Sequence, residues 1–188
     1  PVLRALRARW PEASIHFVTS GAFAPLFERM PELTRVWRWE PKGRHAGLRG
    51  LSRFAAELRA EGPFDLGIDL QNKLRSNALL RLVGPGRRYS FVKRRGLVAV
   101  ARAVAGDDTV LDRGPAAALY LEALLPLQLP EVDLRPSIVL PPAAVAAADR
   151  LLAGVEGPIV ALAPGARWAL KRWAPARFAE VGDALAAQ

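Results

Sequence analysis

The sequence has no cysteine, a single methionine and no long uninterrupted apolar run. Without cysteine, a disulfide framework, a thiolate zinc site and a cysteine nucleophile are all excluded. The two longest apolar stretches, residues 97–105 and 115–129, are broken by charge or proline and fall short of the roughly 18 residues of a membrane-spanning helix. The 188 residues are 51% hydrophobic and 24% charged. This composition is typical of a folded protein with a core and excludes a wholly disordered chain.

Acidic residues are missing from one long stretch of the chain. Between Asp69 and Asp107 there is no aspartate or glutamate, whereas nine lysines and arginines occur there. The remaining charges balance, so this stretch accounts for the entire net charge of +9. Concentrated positive charge favours an anionic partner such as nucleic acid, anionic lipid or a phosphorylated substrate. A solvated arginine-rich face would give the same pattern.

Short apolar segments alternate with segments of helical periodicity along the chain. This order is typical of βαβ units and predicts a mostly parallel sheet with helices on both faces. The order restarts after a proline-rich connection at residues 126–142, so the sequence predicts two α/β units. The predicted strands are residues 15–19, 36–39, 64–70, 89–92 and 159–163, and the predicted helices include residues 22–29, 48–58, 74–83 and 175–185.

Polar residues follow the third of these strands. Residues 69–77 read DLQNKLRSN and place Lys73 and Arg75 at the start of a helix. Ligands of open parallel sheets bind beyond the carboxyl ends of the strands, and free N–H groups at a helix start favour an anion. A capped helix with solvated side chains would give the same pattern.

A second polar group lies between the last predicted strand and the last predicted helix. Residues 163–173 read APGARWALKRW. Gly165 permits close backbone approach, and a loop that opens a helix can hold a phosphate through its N–H groups. Lys171 would then act as a mobile charge on that phosphate. The spacing is neither that of a Walker sequence nor GxGxxG, so a basic loop packed on its tryptophans is the alternative.

The histidines and the remaining acids form no recognisable metal or catalytic site. His16 and His45 have no carboxylate or second histidine at ligand spacing, and we expect structural roles for both. Asp107, Asp108 and Asp112 are expected to lie in a solvated turn. We therefore expect no metal site and no serine–histidine relay.

Three segments carry a resemblance to a known family. They are PVLRALRARWPEASIHFVT at residues 1–19, FDLGIDLQNKLRSN at residues 64–77 and PGARWALKRWAPARFAEVGDAL at residues 164–185. Together they resemble the bacterial heptosyltransferases of glycosyltransferase family 9, which build the inner core of lipopolysaccharide. The last segment is the most specific, because its loop, lysine and tryptophan occur together before a helix. The family usually has proline directly after this tryptophan, whereas here Ala174 precedes Pro175.

The resemblance implies an α/β protein of the GT-B type, in which two Rossmann-like domains face each other across a cleft. Residues 1–153 would form the acceptor-side domain without its first strand, and residues 154–188 the first βα unit of the nucleotide-sugar domain. Family members transfer heptose from ADP-heptose to a phosphorylated Kdo–lipid A or heptosyl acceptor, with inversion and without a metal or other cofactor. The resemblance thus implies a cytoplasmic transferase that is peripheral to the inner membrane.

The resemblance also implies roles for individual residues. Lys171 corresponds to the lysine associated with the donor diphosphate and is the expected catalytic cation, with Pro164, Gly165 and Ala166 in the loop beneath it. The family's proposed general base, an aspartate in a Gly-Asp loop, precedes the PVLRAL segment, so we expect this chain alone to be inactive. The residues that fall in the acceptor-binding block are Gln71, Lys73, Arg75 and Ser76.

One basic segment is the expected contact with anionic partners. Lys93, Arg94 and Arg95 precede an apolar segment at residues 97–104, and together they would dock on an anionic membrane surface or on acceptor phosphates. A core helix preceded by a solvated basic turn would give the same pattern. Two alternatives to heptosyl transfer stay open. One is a transferase of the same fold that uses another nucleotide sugar. The other is a nucleic-acid-binding module, although the basic stretch lacks the interleaved aromatics of such modules, and we expect no nucleic-acid partner.

Overall fold

The computed structural model describes residues 1–91 and 116–187. Its helices and parallel strands alternate, which confirms the predicted α/β class. The predicted basic segment at residues 93–95 and the helix at residues 97–104 lie outside the described residues. The helices are α1 (Val2–Arg9), α2 (Gly47–Arg59), α3 (Leu74–Val83), α4 (Ala116–Glu122), α5 (Pro142–Leu152) and α6 (Pro175–Ala186), and the strands are β1 (His16–Ser20), β2 (Arg35–Trp39), β3 (Leu66–Asp69) and β4 (Arg87–Ser90).

The four strands form two parallel pairs. β1 pairs with β2 so that Val18 lies opposite Trp37, and β3 pairs with β4 so that Ile68 lies opposite Tyr89. A parallel pair requires a crossover connection, which α3 provides between β3 and β4. Gly84 ends α3 in the left-handed conformation, with φ 73°, and glycine adopts this conformation without a steric penalty. Within each pair, the carboxyl ends of both strands therefore lie on the same side.

α2 supplies the main apolar core of the first part of the chain. Its apolar residues recur every three or four positions, so they form one face of the helix. This face packs against β1, β2 and α3. Full burial of each large apolar side chain stabilises the fold by about 1.5–3 kcal/mol. The buried members of this cluster are Trp37, Leu51, Phe54, Ala55, Leu58 and Leu79.

A second apolar cluster covers the face of β3 and β4 that points away from α3. Leu66 and Ile68 alternate with Gly67 along β3 and pack towards Leu6 of α1. A Cβ atom on Gly67 would lie only 2.5 Å from Leu80 of α3. The glycine therefore allows α3 to pack closely on one face of the strand while α1 covers the other, as the sequence predicts.

Two predicted elements differ from the structure. Residues 22–29 contain only a 3-10 turn at Ala24–Leu26, with Pro25 in its first turn. The predicted strand at residues 159–163 is not a strand here. A strand exists only through its hydrogen-bonded neighbour, and among the described residues this segment has none.

The chain divides into two units, Pro1–Pro142 and Ala143–Gln188. The first unit holds the four strands and both apolar clusters. The second holds the 3-10 turn Ala169–Lys171 and α6, and most of its apolar side chains are exposed. Among the helices of the described residues, none is long and apolar enough to cross a membrane.

Candidate functional site

Asp69 organises the polar segment that follows β3. The residue is only 7% exposed. One carboxylate oxygen, Oδ1, accepts hydrogen bonds from the N–H groups of Gln71 and Asn72, each at 2.9 Å. The other, Oδ2, accepts a hydrogen bond from the hydroxyl of Ser76 at 2.7 Å. The charge of Asp69 is thus used to fix the turn between β3 and α3.

Asn72 gives this turn its shape. Its φ is 48°, a left-handed conformation that asparagine adopts more readily than other residues with a side chain. The side-chain amide of Asn77 donates to Asn72 Oδ1 at 2.7 Å and to the carbonyl of Lys73 at 3.2 Å. Both sides of the turn are therefore held by hydrogen bonds.

Ser76 caps the start of α3. Its hydroxyl oxygen accepts the N–H of Lys73 at 3.0 Å, and the same hydroxyl donates to Asp69. An oxygen in this place satisfies one of the free N–H groups at a helix start. The geometry thus gives Ser76 a positioning role within the predicted acceptor-binding block.

The predicted cations of this block lie at the same loop–helix junction. Gln71 and Lys73 are exposed. Arg75 donates from Nη1 to the carbonyl of Pro41 at 3.0 Å, which joins the start of α3 to the loop that follows β2. The predicted acceptor-binding residues thus lie at one loop–helix junction, where Gln71, Lys73 and Arg75 are exposed.

His45 anchors the loop after β2. The residue is only 1% exposed and its ring packs on Phe54, with 4.4 Å between ring centroids. Its Nδ1 accepts the N–H of Glu40 at 3.0 Å, so the neutral ring carries its proton on Nε2. Burial lowers the pKa of His45 below its ordinary value of 6.5, and the Arg44 cation adds to the effect against the opposing charges of Glu57 and Glu40. The ring is therefore neutral near pH 7.

Acidification is expected to destabilise the first unit through its histidines. Burial also lowers the pKa of His16, so on acidification the unfolded chain takes up protons before the folded chain does. The free energy of unfolding is therefore highest at pH values above 6.5, the pKa of a histidine in the unfolded chain, and it falls as the pH drops through this value. Urea midpoints at about pH 7.5 and about pH 5.5 measure this loss of stability. This pH interval lies above the range in which most carboxylates titrate. His45→Gln should reduce the loss, whereas Arg49→Gln should leave it unchanged, and equal losses in both variants would contradict the assignment.

His16 has structural partners. The indole Nε1 of Trp37 donates to its Nδ1 at 3.2 Å, and its Nε2 lies 3.1 Å from the hydroxyl of Ser14. The ring also contacts Phe64 edge-on at 5.2 Å. These contacts use both ring nitrogens within the fold.

A hydrogen bond between its two ends closes the loop that precedes α6 in the second unit. Arg172 donates from Nε to the carbonyl of Ala166 at 2.8 Å, which closes residues 166–172 into a compact loop. Trp173 then packs edge-on against Phe178 of α6, with 5.1 Å between ring centroids. α6 begins at Pro175 with Ala174 as its N-cap. The extra residue before the proline thus serves as the cap.

Lys171 lies exposed in this loop, at the end of the 3-10 turn. Its backbone N–H donates to the carbonyl of Trp168 at 3.0 Å, while its ammonium makes no hydrogen bond or ion pair with a described residue. A Cβ atom on Gly165 would meet no atom within 4 Å. Packing within the described chain therefore does not require glycine there, and the space beside it is open. A cation, open space and the start of a helix are what an anionic ligand needs.

The site also contains residues that the sequence analysis did not single out for a role. Asp69 and Asn72 shape the loop that presents Gln71 and Lys73. The available signal was an aspartate at a strand end two residues before a glutamine and three before an asparagine, which is typical of an Asx turn. In the described residues, no group of three or more histidines and acids is arranged to hold a metal ion.

Comparisons with known proteins bear on the family and the fold of the chain. The family model for glycosyltransferase family 9 (heptosyltransferase) matches residues 51–188. Among solved structures, the chain is similar to the glycosyl transferase family 9 protein from Veillonella parvula DSM 2008, with a TM-score of 0.78 and 21% sequence identity. The similarity covers 98% of this chain and 54% of that one, so this chain spans about half the length of that protein. Among curated proteins there is no match. The structural likeness confirms the fold class predicted from the sequence.

Proposed function

Because the chain belongs to glycosyltransferase family 9, we propose that the protein transfers a heptose from ADP-heptose to the inner core of lipopolysaccharide. The observation that carries this proposal is the match of the heptosyltransferase family model over residues 51–188. This range includes the junction between β3 and α3 and the loop that ends at Lys171. The reaction would take place at the cytoplasmic face of the inner membrane, with a phosphorylated glycolipid as acceptor and without a metal.

The difficult event in such a transfer is the departure of the nucleoside diphosphate. The acceptor oxygen forms a bond to the anomeric carbon from the opposite face, and its proton passes to a general base. The bond between the anomeric carbon and the diphosphate breaks, and its electron pair leaves with ADP. Fixed cations and N–H groups that face the developing charge lower this barrier by a few kcal/mol.

Lys171 is the proposed cation for that charge. Its ammonium is exposed and makes no contact with a described acid, so it is available to a diphosphate. The hydrogen bond between Arg172 and Ala166 fixes the loop on which it lies. The open space at Gly165 would admit the phosphates next to the backbone. Pro164 and Ala166 would form the walls of this space.

The junction between β3 and α3 is the proposed acceptor site. Gln71 and Lys73 are exposed on a turn that Asp69 holds in place, and Arg75 lies beside them. A rigid turn presents these side chains at a lower entropic cost than a flexible loop would. Lys73 and Arg75 suit the phosphates of a glycolipid, while the amide of Gln71 suits sugar hydroxyls.

Replacement of Lys171 by alanine is expected to weaken the binding of ADP and ADP-heptose by roughly tenfold or more, because a charge-assisted contact to the diphosphate is lost. Isothermal titration calorimetry on the 188-residue chain measures both affinities. Arg150→Ala, which removes an exposed cation from α5 in the same unit, is the matched control and should change neither affinity. Equal affinities for wild type and Lys171→Ala would reject the donor-site assignment, and tighter binding of UDP-glucose or GDP-mannose than of ADP-heptose would reject the donor.

A further inference from the structure

A cavity between α3 and β4 is lined in part by three side chains to which the proposed donor and acceptor sites assign no role, those of Arg81, Arg88 and Ser90. It is an open cavity of about 160 Å³. It holds two arginines, a serine and an asparagine, and a single apolar side chain forms one wall. The lining residues are Asn77, Leu80, Arg81, Arg88 and Ser90.

The secondary structure places these residues on facing surfaces. Asn77 and Arg81 are one helical turn apart and so lie on the same face of α3. Arg88 and Ser90 are two residues apart on β4, so their side chains lie on one face of the strand. Arg88 is in register with Gly67, whose missing side chain makes room for α3. The convergence of the two arginines thus follows from the packing of α3 on the β3–β4 pair.

The two arginines have no counter-charge among the described residues. The five ion pairs there all use other arginines, and neither Arg81 nor Arg88 donates a hydrogen bond to a described residue. Asp69 is in register with Ser90, but its carboxylate already accepts from two N–H groups and a hydroxyl. Both arginines are exposed, so water weakens the repulsion between their like charges, and an anion bound between them would be attracted to both.

We propose that this cavity binds a phosphate group, with the guanidinium groups of Arg81 and Arg88 on its oxygens and the hydroxyl of Ser90 as a further donor. Guanidinium groups match phosphate oxygens with paired N–H donors, and arginine keeps its charge at every physiological pH. Since a water molecule needs about 10–15 Å³ of such space, the cavity has room for a phosphate and several waters. Arg81, Arg88 and Ser90 are not among the residues proposed to bind the donor or the acceptor, so the proposal does not rest on the proposed function, although Asn77 of the same cavity also holds the acceptor turn.

The test compares a double variant with a matched control. Arg81→Gln/Arg88→Gln removes both cations and keeps polar side chains, while Arg49→Gln/Arg59→Gln removes two exposed cations from α2. Calorimetry at low ionic strength measures the affinity for inorganic phosphate and for glucose 1-phosphate. The cavity variant should bind both probes roughly tenfold more weakly than wild type or worse, and the control should bind within about twofold of wild type.

A second measurement separates the two sources of the phosphate. Vesicles of phosphatidylglycerol and phosphatidylcholine present the group on a lipid, so co-sedimentation with them reports a headgroup ligand. If the cavity variant loses vesicle binding and the control does not, the result supports the site with a lipid ligand. If the cavity variant loses glucose 1-phosphate binding and keeps vesicle binding, the result supports the site with a soluble ester. If the cavity variant binds the soluble probes and the vesicles as tightly as the control does, the proposal is overturned.

Discussion

Asp69→Ala is expected to lower the free energy of unfolding of the first unit by about 2–4 kcal/mol, because it removes three partly buried hydrogen bonds to a charged acceptor. The carboxylate accepts from the N–H groups of Gln71 and Asn72 and from the hydroxyl of Ser76. Its loss also releases the turn that presents the proposed acceptor-binding side chains. Urea unfolding followed by tryptophan fluorescence, to which Trp37 and Trp39 of the first unit contribute, measures the change.

The chain offers a matched control four residues earlier. Asp65 is exposed, so Asp65→Ala should change stability by no more than about 0.5 kcal/mol. Asp69→Asn keeps an oxygen for the two N–H groups, and we expect it to lie between the wild type and Asp69→Ala. Equal urea midpoints for Asp65→Ala and Asp69→Ala would show that the carboxylate does not hold the turn.

Phe54→Ala is expected to cost about 3–5 kcal/mol, the range measured when large aromatic side chains are removed from cores. Phe54 is 1% exposed and contacts three aromatic neighbours. Its ring centroid lies 4.4 Å from that of His45, 6.2 Å from that of Trp37 and 6.3 Å from that of Trp39. The truncation would leave a cavity under both β2 and the loop after it.

An exposed phenylalanine serves as the control for this truncation. Phe23 is 58% exposed, and Phe23→Ala removes the same atoms without opening a core cavity. Its effect should stay within about 0.5 kcal/mol. Thermal unfolding by circular dichroism compares the two variants directly. Equal melting temperatures would mean that α2 does not provide the core that the structure assigns to it.

Local pattern was sufficient for the helices with a long apolar face. α2 and α3 were predicted because their apolar residues recur at helical spacing, and Gly84 marks the end of α3. The segment at residues 159–163 was predicted as a strand from its apolar run alone. Pairing with a neighbouring strand is not encoded in such a run, so the sequence could not decide this case.

In the candidate site too, the sequence predicts some features and leaves others open. The composition of residues 69–77 predicts an anion-binding junction, because lysine, arginine and amides follow a strand, and its anion binding stays a prediction. The inward roles of Asp69 and Ser76 could not be read from composition, since exposed and hydrogen-bonded polar residues look alike in a sequence. The contact between Arg75 and Pro41 spans 34 positions. Contacts of this kind depend on how the loops after two strands meet, which no local pattern specifies.

The parallel pairing described above bears on how the molecule meets other copies of itself. Each of the four strands has one strand neighbour among the described residues, and a strand edge without a neighbour offers backbone groups to which another extended chain can add. The net charge of +9 keeps copies apart by mutual repulsion. Dissolved salt screens that repulsion over a distance of about 8–10 Å. Self-association through these edges is therefore held back most strongly in dilute buffer and least strongly in concentrated salt.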